Sequence, residues 1–273
     1  MTRGPGRACV RGLVIARLAR QCARVSSAAA RSKASVSGAS PAAQPRASPS
    51  STACVLPLAF GLVPDDLRER VFARLVDKIE NETKGHIGTG LIGGQYLMHV
   101  LSDNGRADLA YTIASQKDYP GWGYMVANGA TTIWELWNGN TADPTMNSGN
   151  HVMLVGDLVI WFYEYLAGIA ADPESPGFKH IIMKPQPVGE LTHVKASHQS
   201  PYGTIKSEWR KDGNRFSWDI EIPANTTATI HVPARSPASI TEGGKPISKS
   251  AGVRFLMTSG DRIMLKAASG KYG

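Results

Sequence analysis

The arrangement in this chain most able to do chemistry is a glutamate set between two tryptophans, in Gly129-Ala130-Thr131-Thr132-Ile133-Trp134-Glu135-Leu136-Trp137. Indole faces line sugar-binding clefts, and a carboxyl group among them is what cleavage of a glycosidic bond requires. A carboxylate pressed against apolar ring surface is poorly solvated and holds its proton more readily, which suits proton transfer. Just upstream, Tyr119-Pro120-Gly121-Trp122-Gly123-Tyr124 offers a second aromatic surface. Its glycines suit a loop, so Trp122 is the better candidate for the cleft, while Trp134 and Trp137 divide between cleft and core. Taken by themselves, the same residues fit a buried helix start with one exposed acid about as well, because perturbed carboxylates mark function only statistically.

The elements that must hold these residues are helices first and strands afterwards. Pro64-Asp65-Asp66 opens a helix with acids at the positive end of its dipole, and Leu67, Val71, Leu75 and Ile79 form one apolar stripe ended by Gly85. Further helices are expected over about 91–101 and 106–116, with a short one beginning near Thr131. A fifth, over about 148–169, is apolar on nearly its whole circumference and so is expected to be buried. Asp172 to Gly177 reads as a linker. Beyond it, 180–183, 191–196, 204–209, 215–222 and 227–232 fit short strands, with a hairpin turn at Lys211-Asp212-Gly213-Asn214. That pattern indicates a small antiparallel sandwich.

Composition divides the chain differently. The net charge is +8, yet residues 1–64 hold nine Lys or Arg and no acid, leaving 21 basic against 22 acidic residues in the remainder. The excess basicity is thus N-terminal, and the globular part implies neither a nucleic-acid nor a membrane partner. Residues 1–60 are read as a disordered segment, either transit-peptide-like or artefactual, since the stretch is rich in Ala, Ser, Arg and Pro and poor in aromatics. The compartment stays open: cytoplasmic for the globular part, an organelle if that segment is a real transit peptide. Cys9, Cys22 and Cys54 all fall in it, which argues against a disulfide framework or a cysteine metal site in the fold. His180, His193, His198 and His231 lack metal-site spacing, and no phosphate loop, nucleophile elbow or dinucleotide fingerprint occurs. No cofactor and no metal are expected.

An ordered set of short motifs adds a family resemblance. They are Gly85-His86-Ile87-Gly88-Thr89-Gly90, the run from Leu101 to Tyr111, Tyr119 to Tyr124, Thr131-Thr132-Ile133-Trp134-Glu135, and Met146-Asn147-Ser148-Gly149-Asn150-His151. Lys184-Pro185-Gln186-Pro187-Val188 and Ile222 to Ala228 follow. From about Pro64 to Ala234 the chain resembles the C-terminal part of the family 78 glycoside hydrolases, the α-L-rhamnosidases. The resemblance implies a mixed fold, α then β: the later part of an (α/α)6 helical barrel over 64–170, then a C-terminal β-sandwich domain over 177–273.

It also implies inverting hydrolysis, in which two carboxyl groups stand far enough apart to admit a water between acid and base. By the Thr-Thr-Ile-Trp-Glu motif, Glu135 corresponds to the general base. The general acid lies upstream in the family, in a region with no counterpart here, so the chain reads as a fragment needing the missing N-terminal part of the barrel. His151 matches a family histidine that contacts the bound sugar, against the simpler reading of a satisfied histidine at a helix start. Trp122 and Trp137 complete the expected substrate-binding set, and His86 resembles a position near the cleft rim. The chain departs from the family in three places. Only 15 residues separate Glu135 from His151, Leu136 stands where Arg is common, and Gly121 where Ser is. The expected partner is a rhamnose-containing glycoside or polysaccharide. A non-catalytic carbohydrate-binding or interaction remnant is the alternative, and another helical-barrel glycosidase acting on a different sugar is a third.

Overall fold

The structure is a computed structural model that describes residues 50–145, 147–151 and 153–273. The expectations for residues 1–49, including any targeting role, lie outside the described residues. Two compact units divide at Leu158 and Val159.

In the first unit, α1 (Ser51–Ala59) is capped by Ser50, whose side chain accepts from the Ala53 N–H at 3.3 Å. Over 51–59 this differs from the reading of 1–60 as a disordered segment. Averaged composition hid a short apolar run, Cys54-Val55-Leu56-Pro57-Leu58, and α1 buries Cys54, Val55 and Leu58 against α2 (Asp65–Asp77) and α3 (Leu91–Asp103). Cys54 is moreover disulfide-bonded.

The stripe read from sequence is real: Val71, Leu75 and Ile79 are essentially inaccessible. The last of these lies in a π-helical turn, Lys78–Glu82, that prolongs α2. That turn is held by charge. Lys78 Nζ and Arg74 each lie 2.6 Å from the Glu82 carboxylate, and Arg106 pairs with Glu80 at 2.7 Å and with Asp108. Gly105, at a positive φ of 81°, turns the chain from α3 into α4 (Ala107–Ser115).

One loop expectation and one helix expectation fail. A six-residue helix, α5 (Trp122–Ala127), stands where the glycines suggested a loop. The expected helix at Thr131 is instead a run of turns to about residue 142. The glycines serve close approach rather than flexibility: a Cβ on Gly123 would lie 2.4 Å from the Gln116 carbonyl oxygen. The Tyr119–Pro120 peptide bond is cis.

The long apolar helix is shorter than its sequence pattern, with α6 at Met153–Trp161 followed by a π-helical turn, Phe162–Leu166. Full burial is also corrected. Trp161 is inaccessible, but Val159, Ile160, Phe162 and Tyr163 are exposed, so its circumference is not covered throughout.

The second unit begins within α6 because the end of that segment is tied to the strands. The buried Trp209 Nε1–H donates to the Leu166 carbonyl at 2.7 Å, and Ser207 Oγ donates to that of Ala167 at 2.6 Å. The strands are β1 (Ile169–Ala171), β2 (His180–Met183), β3 (His193–Ser200), β4 (Gly203–Asp212), β5 (Arg215–Ile222), β6 (Thr227–Val232), β7 (Thr241–Glu242), β8 (Lys245–Pro246), β9 (Val253–Ser259), β10 (Arg262–Ala267) and β11 (Gly270–Tyr272). They form a five-stranded sheet in the order β1-β2-β6-β10-β9 and a four-stranded one in the order β11-β5-β4-β3, with β7 and β8 as a separate pair. Pairing is antiparallel except between β2 and β6. Alternate residues such as Ile181, Met183, Ile205, Ile220, Ile230 and Leu265 build the core. Gly168 allows the entry to β1: its φ is +71°, and a Cβ there would lie 2.2 Å from the Pro185 nitrogen.

Candidate active site

Glu135 lies on a non-helical segment clamped to the segment that bears His151. The Glu135 N–H donates to the Ser148 carbonyl at 2.9 Å, and the His151 N–H donates to that of Ile133 at 2.6 Å. Thr132 Oγ1 donates to the Gly149 carbonyl, and the Leu136 N–H donates to Asn147 Oδ1 at 3.0 Å. Thr132, Asn147 and Ser148 thus act as fasteners. The short connection between Glu135 and His151 is closed by backbone bonds rather than left open.

The carboxylate itself takes part. Ser148 N–H donates to Glu135 Oε2 at 2.9 Å, fixing one oxygen, while Oε1 has no hydrogen-bond partner among the described residues. Glu135 is exposed, which corrects the expectation that apolar rings would desolvate it. The reason is visible in where its neighbours go. Trp137 packs edge-on against Trp122, with centroids 5.2 Å apart and planes at 88°. The Trp134 ring lies over Gly139, where a Cβ would come within 2.6 Å of Trp134 Cγ.

Trp122, favoured from sequence as a loop-borne cleft residue, is the buried member of that pair, only 7% exposed, at the start of α5. Its Nε1–H is buried without an acceptor among the described residues. Trp137 is half-buried above it. The turn run is further anchored to α5 through amides and a phenol. Tyr124 Oη donates to Asn140 Oδ1 at 3.3 Å, and Asn140 Nδ2 donates to Asn128 Oδ1 at 3.1 Å. The structure therefore brings Glu135 and His151 onto one hydrogen-bonded ribbon, with Trp137 and Trp122 joined to each other below.

His86 keeps its Nδ1 at 3.0 Å from the Thr83 carbonyl, with Nε2 buried and unpartnered among the described residues. Two further acids near these motifs, Asp108 and Asp143, are engaged. The Arg106 guanidinium holds the Asp108 carboxyl below its ordinary range, and hydrogen bonds from Thr145 do the same for Asp143. Asp157 on α6 was passed over in the sequence because it stands alone in an apolar run. Burial alone pushes its carboxyl above the usual range. No group of three or more metal-ligating side chains occurs among the described residues, and no described helix is long and apolar enough to cross a membrane.

With this geometry in hand, comparison with known proteins is specific. Residues 37–166 match the profile of the bacterial α-L-rhamnosidase 6 hairpin glycosidase domain, and residues 168–246 that of the bacterial α-L-rhamnosidase C-terminal domain. The first match starts well before Pro64, so the likeness reaches further upstream than the motifs alone indicated. An α-L-rhamnosidase of Streptomyces avermitilis is 38% identical over 191 residues, covering 68% of this chain and 18% of that protein. One from Formosa agariphila is 33% identical over 226 residues, covering 81% and 24%. Among solved structures, the Streptomyces avermitilis α-L-rhamnosidase complexed with L-rhamnose superimposes with a TM-score of 0.74 at 32% identity, over 81% of this chain and 21% of that one. The α-L-rhamnosidase from Dictyoglumus thermophilum gives a TM-score of 0.76 at 35% identity, over 84% and 25%. The chain spans about a quarter or less of the length of these relatives. With two adjoining domains of one enzyme matched in order across most of its length, the chain belongs to the bacterial α-L-rhamnosidase family of glycoside hydrolases.

Proposed function

We propose that this chain carries the base-bearing part of an inverting α-L-rhamnosidase site, with Glu135 as the general base that activates water at the anomeric carbon. The observation that supports this most is the asymmetry of its carboxylate. One oxygen is fixed by the Ser148 N–H and the other is solvent-accessible and unpartnered among the described residues, as a group that takes a proton from water needs to be. His151, held on the same ribbon, is the sugar-contacting residue. The half-buried Trp137 contributes to the sugar-binding surface, and Trp122 packs against it at right angles.

The general acid is assigned to sequence corresponding to the part of the relatives that this chain does not span. Asp108 and Asp143 are unsuited to that role, because their partners favour the ionised form and a general acid must arrive protonated. The substrate is a terminal α-L-rhamnoside. On this reading the 273-residue protein binds L-rhamnose and turns over 4-nitrophenyl α-L-rhamnoside no faster than its Glu135→Gln variant. Turnover by the parent chain that the variant lacks would place the acid within this sequence, and turnover that survives the substitution would remove Glu135 from the chemistry. The second reading, a carbohydrate-binding remnant with no catalytic part to play, predicts that Glu135→Gln alters nothing even when the remainder of a rhamnosidase is supplied.

A further inference from the structure

The two outer faces of the β-sandwich differ in charge, and strand register explains the difference. On the four-stranded sheet the basic side chains meet acids: Lys195 lies 3.0 Å from Glu208, Lys206 2.7 Å from Glu221, and Arg210 2.6 Å from Glu208. The five-stranded sheet has no such balance, since none of its strands contains an Asp or Glu.

Side chains opposite one another on neighbouring strands share a face. Ile263, Leu265, Ala228 and Ile230 occupy the core side, so register puts Lys266 opposite both Thr229 and Arg254 on the outer side. Met264 stands there between His231 and Met257, and Arg262 opposite Ser259. Lys184 follows β2 directly, beside His231. Two like charges directly opposite, as Lys266 and Arg254 are, repel each other. Neither they nor Lys184 and Arg262 make an ion pair within 4 Å among the described residues, where the strand ion pairs are all on the other sheet, and Asp261 is the acid whose charge acts on Arg262. The positive field is felt locally: burial first, then the charges of Lys184 and Arg262, push His231 down to about 4. Lys184, Arg254 and Lys266 are exposed, with the His231 imidazole near Lys184.

We infer that the outer face of the five-stranded sheet is a second glycan site, which binds a carboxylated polysaccharide by bridging its uronate groups between Lys266, Arg254 and Lys184. The partly buried Arg262 donates to the His231 carbonyl at 3.2 Å and adds its charge from beneath. The charge is complementary. Lys266 and Arg254 face each other one strand apart, about 4.8 Å, and Lys184 follows a strand two away from that of Lys266. One polymer that repeats its anion can therefore meet several cations at once. Recognition is by charge and not by stacking, since register puts no Phe, Tyr or Trp on the outer side of these strands and Phe255 stands opposite the core-side Leu265. The choice of a glycan among polyanions rests on the glycosidase reading above.

The test is calorimetric titration of the 273-residue protein with polygalacturonate, with neutral dextran and single-stranded DNA as comparison ligands. Loss of two exposed ionic contacts predicts that Arg254→Ala with Lys266→Ala weakens polygalacturonate binding roughly fivefold to tenfold. Raising ionic strength from about 0.05 M to about 0.5 M should weaken it further, through screening. The paired control on the other sheet, Lys195→Ala with Lys206→Ala, should leave it unchanged, and His231 should titrate upward in the complex as bound carboxylates offset the neighbouring cations. Both double variants are at exposed positions, and near-UV circular dichroism verifies their folding. Undiminished binding by Arg254→Ala with Lys266→Ala, or an equal loss in the control, would overturn the site. Affinity for DNA equal to that for polygalacturonate would overturn its assignment to a glycan. The titration does not involve the cleft, so failure here leaves the Glu135 reading standing, while failure of rhamnoside chemistry leaves the anion-binding face standing and removes only the reason to choose a glycan in advance of the titration.

Discussion

Replacing Gly139 with alanine probes how the site is built without touching any group assigned to chemistry. An ideal Cβ there lies 2.6 Å from Trp134 Cγ and 2.7 Å from Trp134 Cβ and Cδ2. Carbon atoms rest at about 3.5–4.0 Å, so the indole has to retreat by about 1 Å. Overpacking of this kind costs about 1–3 kcal/mol, and the half-buried Trp134 can yield somewhat, which favours the lower half of that range. Gly149, on the opposite side of the ribbon, supplies the control. No heavy atom lies within 4 Å of its ideal Cβ, and its φ is not positive. Gly149→Ala should therefore be neutral or stabilise by about 0.5 kcal/mol, through lower entropy of the unfolded chain. Thermal unfolding followed by near-UV circular dichroism should place the midpoint of Gly139→Ala about 2–8 °C below that of Gly149→Ala. Because Trp134 adjoins Glu135, titration with L-rhamnose should also show weaker binding in Gly139→Ala. Equal midpoints and equal affinities in the two variants would refute the claim that Trp134 is seated on Gly139 and that this seat positions the glutamate.

Other expectations follow from individual contacts. Trp209→Phe removes the donor to the buried Leu166 carbonyl and should cost about 1–3 kcal/mol in urea unfolding. Gly168→Ala combines a positive φ with a 2.2 Å clash against backbone and should cost about 3 kcal/mol or more, seen as a loss of soluble protein or a lowered midpoint. His231 has a folded pKa of about 4 against an ordinary 6.5. Below pH 6.5 the unfolded chain takes up this proton and the folded chain does not, so stability falls as pH drops toward 4. Since the side chain is only half-buried, screening limits the effect to about 1–2 kcal/mol, and His231→Gln should flatten that part of a stability–pH curve. Asp157 has the opposite sign, its carboxyl being raised by burial. The stability it contributes is present below its unfolded pKa and lost as pH rises, so Asp157→Asn should be the more stable protein near neutral pH, with the advantage vanishing below about pH 3.8.

Where a residue's role followed from periodicity, the sequence was readable. The stripe of Val71, Leu75 and Ile79 and the alternation in β5 and β6 needed only the 3.6 and 2.0 repeats. Short elements fixed by tertiary contact were not. Trp122 to Ala127 is too brief and too flanked by glycine to announce a helix, and its helical state depends on close approach to the Gln116 backbone. Residues 51–59 were hidden by averaging over a basic segment, and the parallel pairing of β2 with β6 is set by connection, not by pattern. At the site, the motif located Glu135 and His151, but their being clamped together depends on Asn147 and Ser148, whose short polar side chains and backbone carry no distinctive signal. The exposure of Glu135 was missed because adjacency in sequence to two tryptophans was taken for adjacency in space.

The measurement that bears most directly on the central claim is hydrolysis by a chimera. Residues 64–273 of this chain would replace the matching segment of the Streptomyces avermitilis α-L-rhamnosidase, which would then supply the remainder of the catalytic domain. The chimera should release 4-nitrophenol from 4-nitrophenyl α-L-rhamnoside. Its Glu135→Gln variant should be about 100-fold to 10,000-fold slower while still binding L-rhamnose. Azide, a nucleophile needing no deprotonation, should restore phenol release and yield the rhamnosyl azide of inverted configuration. A folded chimera that binds L-rhamnose and turns over equally fast with glutamine at position 135 would contradict the assignment of Glu135 as the base.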